Sequence, residues 1–99
     1  MKTDVDRFLQ VLAVEKGFSG NTIAAYRNDL YQLADYLQSK SNVVSWRDVT
    51  GDLLAQYVLN QSDKGYSKAT RARKIASLKS FYEFLGKEGS ITQNPAHDI

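Results

Sequence analysis

Apolar residues recur every three or four positions in four stretches of the chain, and this spacing predicts four helices. Val5, Phe8, Leu9 and Leu12 mark the first, over about 3–15. Ile23, Tyr26, Leu30, Leu33 and Leu37 form one stripe on the second, over about 20–39. Leu53, Leu54, Tyr57 and Val58 belong to a third, over about 51–62. Ile75, Leu78, Tyr82 and Leu85 line the fourth, over about 68–88, whose second half is apolar on several sides through Phe81 and Phe84. A helix apolar all round is buried, and Phe84, off the main stripe, is a candidate contact for another domain. Residues 40–49 read as a connector that Trp46 and Val49 seal onto the core. The punctuation agrees with these limits. Gly17, Gly65 and Gly89 stand where helix ends favour glycine, and Ser19, Thr50 and Ser67 stand where helix starts favour a hydroxyl. The only proline is Pro95, so nothing breaks a helix before residue 95. The fold class expected is all-α: four main helices arranged as two helical hairpins packed on each other.

The polar positions carry a repeat. "EKGFSGNT" at 15–22 and "DKGYSKAT" at 63–70 share an acid, Lys, Gly, an aromatic residue, Ser and Thr. The offset is 48 residues, and at that offset Leu30 matches Leu78 and Leu37 matches Leu85. Each copy reads as a Gly-aromatic-Ser corner that launches a long helix. Convergent capping alone would explain the serines. The matching leucines deeper in both helices favour a true supersecondary repeat.

Composition changes the picture in two ways. The chain has 99 residues and no cysteine, which fits one domain and excludes disulfides and cysteine-based chemistry. No apolar run approaches the roughly 18 residues of a membrane span, and the N-terminus has no leader pattern, so a cytoplasmic protein without a membrane partner is expected. The net charge of +2 is unremarkable, but its placement is not. Lys64, Lys68, Arg71, Arg73, Lys74 and Lys79 fall in a stretch without an acid, which leaves −4 on the rest of the chain. Such asymmetry points to a polyanionic partner.

The fourth helix also violates a local rule. Helix starts carry partial positive charge and favour acids, as at Asp4, Asp6 and Asp52, yet Lys68, Arg71, Arg73 and Lys74 crowd its first two turns. A phosphate bound there would reverse the penalty. Opposite its apolar stripe lie Thr70, Arg73, Ser77 and Ser80; opposite that of the second helix lie Asn21, Ala25, Asn28 and Gln32. Small and amide-bearing faces suit close approach to another surface, such as a DNA major groove, where amides pair with adenine and Arg with guanine. Hydroxyls such as those of Ser19, Thr22 and Ser67 can hold phosphates. A solvated basic helix is the plainer alternative. No catalytic constellation or cofactor motif is present: His97 is the lone histidine, and no glycine-rich phosphate loop occurs.

Taken in combination, these residues resemble a known family. Ser-x-x-Thr-x-x-x-Tyr-x-x-Asp-Leu from Ser19 to Leu30, Trp-x-Asp-Val-Thr at 46–50, the second Ser-x-x-Thr followed by Leu-x-x-Phe-Tyr, and Asn-Pro-Ala at 94–96 are similar to the N-terminal core-binding (SAM-like) domain of tyrosine recombinases, the phage integrases and Xer-type enzymes. Gly20 departs from the pattern, where a helix-starting side chain would be more usual. The resemblance implies two crossed hairpins that form half of a clamp on double-stranded DNA, with the second and fourth helices on the major groove. It implies residues 1–93 as the DNA-binding domain and 94–99 as the start of a linker to a separate catalytic domain. That domain would carry the arginine-rich site and tyrosine nucleophile, so this chain by itself would not be an enzyme. The partners implied are double-stranded DNA, the catalytic domain and other recombinase protomers; no cofactor or metal is implied. The DNA contacts carried over are Ser19, Asn21, Thr22, Ser67, Lys68, Thr70, Arg71 and Arg73, with Ala25, Asn28, Lys74 and Ser77 added from the helix faces. Two other readings fit the residues: a helix-turn-helix transcription regulator, with Gly65–Ser67 as its tight turn, and a helical protein-interaction module.

Overall fold

The computed structural model describes residues 1–99. Helix α1 spans Lys2–Val14, α2 Gly20–Ser41, α3 Gly51–Ser62 and α4 Lys68–Lys87, with one turn of 3-10 helix at Trp46–Asp48 between α2 and α3. The starts of α2, α3 and α4 fall at the capping hydroxyls expected. Thr50 accepts the backbone N–H of Leu53 at 3.2 Å, satisfying one of the donors a helix start leaves open. Helix α2 runs two residues past its expected end. Asn42 stops it in the left-handed region (φ 54°), a conformation asparagine tolerates, and donates its N–H back to Leu37.

The two copies of the repeated corner have the same geometry. Gly17 and Gly65 have φ of 68° and 75°, and Ser19 and Ser67 share extended backbones at φ/ψ −66°/156° and −61°/159°. Ser19 Oγ accepts from Thr22 N–H at 3.2 Å and donates to Thr22 Oγ1 at 3.0 Å; Ser67 does the same with Thr70 at 3.1 Å and 3.1 Å. The repeat is therefore structural: each copy turns the chain through a positive-φ glycine and starts a long helix from a doubly bonded serine.

Nineteen buried apolar residues form one core, drawn from every helix and from the connector. Helix α2 is central, packing against α1, α3 and α4. Trp46 is buried against Phe81 (ring centroids 4.8 Å) and Tyr82 (5.8 Å), both edge-on, the geometry aromatic quadrupoles prefer. Its indole N–H donates to the Met1 carbonyl at 2.9 Å, and Tyr82 Oη donates to the Trp46 carbonyl at 3.3 Å. The connector is thus sealed to the core as its apolar residues foretell. Phe84 is half-buried against Phe8 (5.3 Å), with the Arg7 guanidinium over its ring, so this chain itself covers much of the residue singled out as an interdomain contact. Val58 and Ile75 are half-buried because an open groove of about 290 Å³ runs between α3 and α4.

The last residues depart from expectation. Rather than turning away from Asn94 onward, they fold back on the body. Ala96 is fully buried, Ile91 is buried, and Ile99 packs against the core. The Asn94 side chain accepts the Ala96 N–H at 2.9 Å, which closes a tight turn and places the Pro95 carbonyl beside Gly51 at the start of α3.

Candidate nucleic-acid interface

Ser19 and Ser67, at the starts of α2 and α4, are exposed. Past Ser19, Asn21 and Asn28 are exposed, while Thr22 and Ala25 are half-buried. Past Ser67, Lys68 and Arg71 are exposed and Thr70 is half-buried. The two threonine hydroxyls are held by the capping serines, so they shape the corners. Lys64, Lys68 and Arg71 make no ion pair or side-chain hydrogen bond with the rest of the chain; their charges face solvent.

Arg73, Lys74 and Ser77 are placed differently from the outward face expected of them. The polar faces of α2 and α4 meet each other. Asp29, whose side chain is 1% exposed, sits between the helices and takes two bonds from Arg73, Nε to Oδ2 at 2.9 Å and Nη2 to Oδ1 at 2.9 Å. Lys74 Nζ donates to the same carboxylate at 3.2 Å and to Gln32 Oε1 at 2.5 Å. Its ammonium also lies 4.7 Å from the centre of the Tyr66 ring, a cation–π distance. Lys74 is therefore buried and cannot reach a partner as placed. Ser77 is fully buried too, its hydroxyl donating to the Lys74 carbonyl at 2.9 Å. The physical reason is the packing of α2 on α4: part of the small-residue face becomes a helix–helix contact, and there the buried Asp29 carboxylate is paired by the cations that α4 brings to it. Arg73 keeps a 37% exposed side chain and stays at the edge of the surface. Asp29 raises its guanidinium pKa through the paired hydrogen bonds.

Asp29 is the residue that sequence reasoning left out of the site. Its signal was present: an acid at the edge of an apolar stripe, 44 and 45 positions before two cations on another helix. No group of three or more His, Asp or Glu side chains could hold a metal ion, and no helix is long and apolar enough to cross a membrane. Burial pushes the Tyr57 and Tyr82 hydroxyls up from the ordinary phenol range. The arrangement offers exposed cations, capped helix starts and exposed amides on the α2 and α4 corners.

Comparison with known proteins places the chain among its relatives. The family model described as the phage integrase N-terminal SAM-like domain matches residues 5–89. A tyrosine recombinase XerC of Herpetosiphon aurantiacus is 41% identical over 99 residues, covering 100% of this chain and 32% of that protein. A tyrosine recombinase XerC of a Roseiflexus species is 38% identical over 99 residues, again 100% of this chain and 31% of its own length. A tyrosine recombinase XerD of Rhizobium meliloti is 31% identical over 91 residues, 92% of this chain and 29% of the relative. The chain thus spans just under a third of the length of these curated relatives.

Proposed function

The chain belongs to the phage integrase N-terminal SAM-like domain family of tyrosine recombinases, and from this membership we propose that it binds double-stranded DNA and positions a catalytic domain carried elsewhere in a longer recombinase. The observation that carries the reading is the start of α4. Lys68 and Arg71 are exposed and unpaired beside a helix N-terminus, where their own charges are unfavourable and a phosphate would be favourable. Ser67, Lys68 and Arg71 hold the backbone of the duplex; Asn21, Asn28 and the free edge of Arg73 face base edges in the major groove. The other recombinase protomers and the catalytic domain are partners in the same assembly.

Affinity of the isolated chain is set by few charges. Lys64, Lys68 and Arg71 engage about three phosphates, which gives a log–log salt slope near −3 and weak binding at physiological salt, roughly 10⁻⁴–10⁻⁶ M. The test is a titration of duplex DNA of random sequence at two salt concentrations. Wild type binds with that salt dependence, and the Lys68→Glu/Arg71→Glu double variant loses binding by a factor of ten or more. Arg73 is unsuited to this test, because a glutamate there would face buried Asp29 and disturb the fold. Undiminished binding by the double variant would overturn the assignment of α4. A helical protein-interaction module predicts no response to DNA at either salt.

A further inference from the structure

We propose that Asp29 is a positioning residue that fixes Arg73 for reading guanine, an inference that rests on the DNA-binding reading above. A guanidinium has five N–H donors in a planar fork. Asp29 occupies one edge, through Nε and Nη2. The opposite edge, formed by Nη1 and the second N–H of Nη2, has no partner in the chain. Its two N–H groups run parallel and match a paired acceptor, as O6 and N7 of guanine present in the major groove. The carboxylate end of the pair is held on a second side: Asp29 is buried, and Lys74, itself buried and bonded to Gln32, donates to one of its oxygens. A free arginine samples many rotamers and loses that freedom on binding; this one is already ordered along one edge.

The charge balance gives the inference a distinctive sign. Asp29 neutralises Arg73 while Lys74 remains as a second cation on the same carboxylate. Arg73 therefore adds little to sequence-independent attraction, and its value lies in direction. Asp29→Asn removes a negative charge, so electrostatics alone predicts tighter binding to every sequence. Positioning predicts that selectivity falls while binding to mixed sequence holds or improves.

The 99-residue chain is used to enrich duplexes from a pool of random 20-base-pair sequence. Wild type, Asp29→Asn and Arg73→Lys are compared by sequencing the bound fraction and by total affinity for the pool. The expected result is a guanine preference of tenfold or more at one position in wild type, flattened at that same position in both variants, with other positions and pool affinity preserved. Arg73→Lys keeps a cation opposite Asp29, so it remains informative if Asp29→Asn folds poorly. An Asp29→Asn profile identical to wild type would overturn the inference, as would an equal loss at every position, which a merely structural role produces. A second readout needs no DNA. The Arg73 Nε–H resonance is expected to be sharp and protected from exchange in wild type and averaged in Asp29→Asn; a wild-type signal as mobile as that of Arg71 refutes the fixed pose. Failure of wild type to bind the pool at all, with a protected Arg73 signal, instead overturns the DNA-binding reading.

Discussion

Ser19 and Ser67 do the same task 48 positions apart, and each does it twice over, accepting a backbone N–H and donating to a threonine hydroxyl. Removing either side chain leaves helix donors without a protein partner. Ser19→Ala and Ser67→Ala are each expected to cost about 1 kcal/mol in chemical denaturation, and to add in the double variant because the two corners share no bond. Asp29 is more sensitive. Asp29→Ala strands a buried ammonium and is expected to cost about 3 kcal/mol or more, whereas Lys74→Met leaves Arg73 on the carboxylate and costs clearly less. Denaturation midpoints of the two variants, compared directly, check that order. The serines were legible in the sequence because caps are local, decided within three residues. The partners of Asp29 were not, because a carboxylate at a stripe edge looks alike whether it meets water or another helix.

At the scale of the element, α4 combines two opposed demands. Its first turn carries Lys68 against the helix dipole, and its second brings Arg73 and Lys74 onto buried Asp29. Lys68→Glu is therefore expected to stabilise the fold by about 0.3–1 kcal/mol while weakening DNA binding. Melting curves and the salt titration on the same variant would show stability and binding moving in opposite directions. A gain in stability with DNA binding unchanged would mean that α4 is only a solvated basic helix. The helix periodicity located α4 to within one residue at its end, yet misjudged its polar face. A helical wheel treats every position opposite the stripe as solvent, and α2 and α4 bury part of that face against each other through charge.

The whole molecule is closed by contacts between distant segments. Arg7 on α1 donates to Glu88, just past α4, with its Nε 3.2 Å from the carboxylate and a shorter bond from Nη2. These bonds hold the Glu88 carboxyl below the usual carboxylate range. A lowered folded-state value means that the pair's contribution is complete above the ordinary carboxylate pKa of about 4.3 and is lost as pH falls through the lowered value. The melting temperature of Glu88→Gln should lie below that of wild type at neutral pH, and the gap should close in acid. Trp46 is the other closure: buried, bonded to the Met1 carbonyl and stacked edge-on against two rings of α4.

The sequence by itself determined the four helices, their caps, the repeated corner, most of the core and the basic start of α4, because each depends on neighbours within one or two helical turns. Only the tertiary structure decided which polar residues face outward. Lys74 and Ser77 went inside, Arg73 was turned to the rim, and residues 94–99 were drawn back onto the body. The physical reason is shared by Lys74 and Arg73: a buried charge is neutralised by whatever helix crosses it, and which helix crosses is a property of packing, not of spacing. That same contact divides the cations of the basic stretch: Lys64, Lys68 and Arg71 keep their charges toward solvent, while Arg73 and Lys74 are held on Asp29.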